Sequence, residues 1–191
     1  KEPKTVDSLI RGWHHGRVRA THSKRAREIL TELMPIILRA IGETPAADIA
    51  FLRFDKFLSQ LPAGVQLFSM FQANLHLLDL VAEIMGKAPR LSDHLSNCPA
   101  ILDSVLTQDF FNPSPDKLKL SRELFELISR SEYFEEKLDI SRRWKNDRHF
   151  QVGVQCLEGT ILPRNASPVY SNIAEATITS LFPTIEKEFA K

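Results

Sequence analysis

Apolar side chains that return every third or fourth residue run through most of this sequence, and no other feature restricts its fold so much. Between His22 and Ile41 they fall at Ala26, Ile29, Leu30, Leu33, Ile37, Ala40 and Ile41, which is one face of an α-helix. Ser23 or Thr21 is placed to cap its start and Gly42 to close it. Pro35 removes one backbone hydrogen bond and predicts a kink. A second helix is expected from about Pro45 to Leu61, broken by Pro62-Ala63-Gly64. Residues 65–85 are apolar on most sides, as in a helix at the centre of a bundle, with a break near Asn74. Pro89 and Pro99 open short helices, and longer ones are expected at 116–131, 133–161 and 168–190. No stretch alternates apolar and polar residues between turns. The expectation is an all-α fold, a helical bundle of about seven to nine helices in two packed lobes.

The clearest linker runs from Thr107 to Asp116 and contains Asn112-Pro113-Ser114-Pro115. It divides the chain into a basic entering segment at 1–20, a first helical lobe at 21–111 and a second at 112–191. Pro35 and the 112–115 loop are candidate hinges.

The composition suits a packed domain: 43% hydrophobic, 26% charged and only seven glycines in 191 residues. A chain of this length buries roughly 70% of its unfolded surface. The net charge of +1 conceals an asymmetry. Residues 1–27 hold eight basic side chains against Glu2 and Asp7, while the remainder is acidic, with 17 basic against 22 acidic residues. Such an arm steers a partner or forms a solvated linker. Cys98 and Cys156 show neither metal-ligand spacing nor a disulfide framework, so reduced thiols in a cytoplasmic protein are expected. No apolar run approaches the ~18 residues of a membrane span, and no signal peptide is visible. The first residue is not Met and the last lie within a helical pattern, so the sequence reads as a segment of a longer chain.

Catalytic patterns are missing. Metal-dependent nucleotidyl transfer needs paired carboxylates, yet no Asp has another Asp two positions away. Glu186 and Glu188 have that spacing, but on a helix such neighbours diverge. There is no glycine-rich phosphate loop, nucleophile elbow or His-Glu-x-x-His. His94 and Cys98 stand four apart, but two ligands without a third favour a structural role. His14-His15 beside Trp13 reads as linker. The polar stretch 142–149 suits either a solvated face or a grip on phosphate or an acidic partner, and its lone Trp144 favours docking. No catalytic, cofactor-binding or metal-binding residue is therefore expected. The candidate partner surface comprises Arg17, Arg19, Lys24, Arg25, Arg27, Arg142, Arg143, Trp144 and Lys145.

Several segments together carry a resemblance. Ser23-Lys-Arg-Ala-Arg-Glu-Ile-Leu-Thr-Glu-Leu-Met-Pro-Ile-Ile-Leu is followed by Leu75-His-Leu-Leu-Asp-Leu-Val, Ala88-Pro-Arg-Leu-Ser-Asp-His-Leu and Cys98-Pro-Ala-Ile-Leu-Asp-Ser-Val-Leu. Arg142-Arg-Trp-Lys and Leu157-Glu-Gly-Thr come later. In this order, over about residues 15–190, they resemble the central helical region of bacterial glutamine-synthetase adenylyltransferases, ahead of the second catalytic domain. Commoner members carry Arg and Asp where Gln151 and Cys156 stand here, so contacts of those two are not carried over.

The resemblance implies a setting. Two nucleotidyltransferase domains of the family add AMP to, and remove it from, a tyrosine of glutamine synthetase, using ATP and magnesium. The intervening region is associated with regulation by glutamine and the PII signalling protein. This chain would then be a non-catalytic regulatory linker, inactive alone and without a cofactor of its own. A passive scaffold is the alternative. A helical nucleic-acid binder would rest on the basic arm alone, without a helix-turn-helix signature, so neither nucleic acid nor membrane is expected as a partner.

Overall fold

A computed structural model describes residues 3–190; Lys1, Glu2 and Lys191, at the two ends of the sequence, lie outside the described residues. Those residues form ten α-helices and two short 3-10 turns, with no strand among them. The all-α expectation is met. The count exceeds seven to nine because Asn74 splits one helix in two and because the first residues fold as well.

The chain divides after Ala100 into two compact units. In the first, α1 (Pro3–His14) leads through a 3-10 turn at Arg19–Thr21 into α2 (Lys24–Gly42), α3 (Ala47–Gln60), α4 (Val65–Ala73), α5 (Leu75–Lys87) and α6 (Pro89–Asn97). Ser23 caps α2 by accepting from the Ala26 amide at 3.1 Å. The α2 helix continues through Pro35, which sits on its exposed side. Asn74 serves two helices: its amide donates to Met70 O at the end of α4, and its side chain accepts from the Leu77 amide at the start of α5. Leu78, Val81, Ile84 and Met85 of α5 are buried against α2 and α3, as a helix apolar nearly all round requires.

Residues 1–20 were expected as an entering linker, but 3–14 are helical and Trp13 is 0% exposed. Its indole stacks on Phe51 at 5.1 Å and meets Phe54 edge-on at 5.9 Å. The following turn lies on the start of α4 so closely that a Cβ on Gly64 would stand 2.3 Å from Ala20 O. Only glycine fits there.

In the second unit, α7 (Ile101–Val105) and a 3-10 turn at Gln108–Phe111 precede α8 (Lys117–Ser129), α9 (Phe134–Leu157) and α10 (Pro163–Phe189). Asp116 caps α8, accepting from the Lys119 amide at 2.9 Å. Gly159, at φ 72°, ends α9 while the Thr160 amide bonds back to Gln155 O, the left-handed close that glycine allows. Leu120, Leu124, Trp144, Val152, Ile173 and Ala176 form the core between the three long helices. The division falls ahead of the 112–115 loop because Phe110 belongs to this unit: its ring meets Phe150 at 6.5 Å and its carbonyl accepts from Gln151 and Gln155.

Candidate functional site

The candidate residues fall in two places. At the amino-terminal end, the chain must turn from α1 into α2, and charged groups hold the turn. Arg17 donates from Nη2 to Asp55 Oδ1 at 2.7 Å, beside the indole Nε1 of Trp13, which reaches the same oxygen at 2.7 Å. Arg27 donates to the carbonyls of Thr21 and His22 at 2.9 and 2.7 Å. Both arginines close this turn. Arg19, Lys24 and Arg25 instead point to solvent. The latter two share Glu28 at 3.8 and 3.6 Å, distances at which exposed ion pairs hold little.

On α9, the stretch from Arg142 to His149 is less open than its polarity suggests. Arg142 and Arg143 are exposed and Lys145 half-buried. Trp144 is 6% exposed and joins the core of the second unit. Its Nε1 donates to Glu123 Oε1 at 2.8 Å. Arg148 donates from Nη2 to both oxygens of the same carboxylate at 2.5 and 2.6 Å, a charge-assisted contact that fixes α8 against α9. The tryptophan expected to offer a docking surface is therefore an internal anchor. Its one polar atom finds an acceptor on a neighbouring helix, so the charged sequence around it does not expose the ring.

Sequence reasoning missed the two carboxylates, Asp55 and Glu123. The signal lay in a shared spacing: each tryptophan has an arginine four residues on, Trp13 to Arg17 and Trp144 to Arg148. It also missed Gln155, buried at 1% exposure, which donates to Phe110 O and Asn112 O at 2.7 and 3.0 Å. Gln151 reaches Phe110 O at 2.8 Å. The two glutamines tie the loop before α8 down onto α9.

Farther along α9, burial and the nearby Lys145 ammonium push His149 below its ordinary pKa, since each penalises the charged imidazolium. Its ring meets Tyr170 edge-on at 5.0 Å. Burial pushes the Cys156 thiol up, away from the reactive thiolate. At His94 and Cys98 the Cys98 amide donates to His94 O at 2.9 Å, closing α6. Among the described residues no three His, Cys, Asp or Glu side chains gather to hold a metal ion. The described side chains offer no donor set that fits magnesium. No helix of the described residues is long and apolar enough to cross a membrane.

The chain is similar to known proteins along its whole length. It is 42% identical over 190 residues to the bifunctional glutamine synthetase adenylyltransferase/adenylyl-removing enzyme of Mesorhizobium japonicum. It is 40% identical over 183 residues to that of Brucella melitensis and 38% identical over 188 residues to that of Agrobacterium fabrum. These alignments cover 100%, 96% and 98% of this chain but 19% of each relative, so the chain spans about a fifth of their length. No solved structure matches it. A family profile described as glutamate-ammonia ligase adenylyltransferase matches residues 78–190, from within α5 through α10, and on that match the chain belongs to the glutamate-ammonia ligase adenylyltransferase family.

Proposed function

We propose that this chain is a non-catalytic regulatory and linking part of an enzyme that adenylylates and deadenylylates glutamine synthetase. Its relatives carry both activities in their names and are much longer than the chain. One observation supports a non-catalytic role: the described residues form helices, and no three His, Cys, Asp or Glu side chains among them gather to hold a metal ion. ATP and magnesium would then act elsewhere in the parent enzyme, in the cytoplasm. The helical units would carry PII and glutamine signals to the flanking nucleotidyltransferase domains by shifts of packed helices.

Within this reading, the partner surface narrows to Arg19, Lys24 and Arg25 at one end and Arg142, Arg143 and Lys145 on α9. Arg17, Arg27 and Trp144 leave it because they hold the fold. Titration calorimetry of the chain against PII and against glutamine tests the coupling, with saturable heat expected for at least one. Charge reversal at Arg19 and Arg25 is expected to weaken PII control of the parent enzyme, and unchanged control would remove the basic turn from the surface. Transfer of AMP by the chain alone, above background, would refute the non-catalytic assignment. A passive scaffold is the second reading, supported by the number of candidate side chains already engaged in folding; absence of heat with either effector would favour it.

A further inference from the structure

A surface helix hides one apolar stripe. The carboxy-terminal half of α10 carries two. Inward, Ile173, Ala176 and Ser180 are buried, with Ser180 donating to Ser121 O of α8 at 3.1 Å. Outward, Ile178, Phe182, Ile185 and Phe189 follow at i, i+4, i+7 and i+11 and are 67%, 61%, 36% and 83% exposed. On α8, Leu118 and Phe125 also stand out, at 75% and 54%. Phe125, Phe134 and Pro183 line an open cleft of about 440 Å³ at the end of these helices, with Lys137, Lys187 and Glu132 among its polar walls. A helix apolar on opposite faces belongs between two partners, and a run of exposed large side chains marks an interaction site.

Two further findings bear on what covers this face. The family profile runs to residue 190, so the outer stripe lies inside the region that defines the family. The relatives match the chain throughout but are far longer, the matched part being 19% of each. A polypeptide that carries its own partner meets it at high effective concentration, which favours an internal occupant over a second copy. We infer that the outer face of α10 seats another folded domain of the same polypeptide through the apolar surface of Ile178, Phe182, Ile185 and Phe189. This rests on the reading that the chain works within a longer adenylyltransferase.

Hydroxyl-radical footprinting of the 191-residue chain and of the parent-length enzyme tests this. Phe182 and Phe189 are expected to be oxidised readily in the chain and to lose that reactivity in the parent enzyme. Trp13, buried in its own unit, serves as the unreactive control in both. The double variant Phe182→Asp with Ile185→Asp, in the parent enzyme, is expected to restore oxidation of Phe189 while circular dichroism keeps its helical signal. Equal oxidation of Phe182 and Phe189 in the two forms overturns the inference. So does sedimentation showing the parent enzyme as a dimer that this variant converts to monomers, which would assign the face to a second copy. An adenylylation assay on the same parent sample separates the two readings. Full activity with equal footprints sinks only the docking face, whereas absent activity with a protected face sinks the enzyme assignment.

Discussion

Each unit contains a tryptophan and an arginine four residues apart in sequence that share a carboxylate on another helix, but the two clamps are built differently. Trp13 is packed against Phe51 and Phe54, and Asp55 offers one oxygen to both its indole and Arg17. Arg17 is half open to water, with its side chain 49% exposed. Trp144 has aliphatic neighbours, Leu120, Leu124 and Val152 among its core cluster. Glu123 gives it one oxygen and receives Arg148 on both, with Arg148 only 23% exposed. The first clamp leans on ring contact and the second on charge. The same motif thus stabilises through apolar area where aromatics surround it, and through charged hydrogen bonds where they do not.

Substitutions can break that contrast. The largest expected effect is from Trp13→Ala, at about 3–5 kcal/mol, because it leaves a cavity among aromatic rings. Urea unfolding followed by the fluorescence of Trp144 and by circular dichroism measures it. Next comes Glu123→Ala, expected to cost about 2–3 kcal/mol because Arg148 and the Trp144 indole both lose their acceptor. Asp55→Ala is expected to cost less, about 1–2 kcal/mol, since Arg17 can turn to water. If Asp55→Ala proves the costlier of the two in thermal unfolding, the division between ring-based and charge-based clamps fails.

The smallest effect concerns pH. Folding depresses the pKa of His149, so the unfolded chain binds a proton more readily than the folded one. Stability is unaffected well above 6.5, the ordinary value, and falls as pH drops below it. The second unit should lose stability in that window and His149→Gln should flatten the slope. Parallel slopes in wild type and variant, by thermal melts from neutral to acid pH, would contradict this.

Much of the fold was legible because helices announce themselves locally. The α2 stripe, the Ser23 cap, the break at Asn74 and the proline openings follow from spacing and from single residues with strong preferences. Misses came where a local sign was answered by something distant. Residues 1–20 read as linker because their charges are visible in sequence, whereas the aromatic pocket that receives Trp13 is assembled from α3. Trp144 read as a docking residue because the chemistry that buries it, Glu123, lies on another helix. The start of α10 was expected at 168, yet the helix opens at Pro163 and carries Pro168 inside it. Proline at a first turn is favoured, and the sequence offered two such openings without deciding between them.

The elbow at Asn74 has a consequence for evolution and engineering. One residue ends α4 and begins α5, with no slack between them. Substitution there removes a cap, but inserting a single residue would rotate all of α5 by about 100° about its axis. Leu78, Val81 and Met85 would swing away from the positions they fill. Length at this corner is therefore held more strictly than chemistry, and variation in segment size should collect elsewhere, in turns with room to spare.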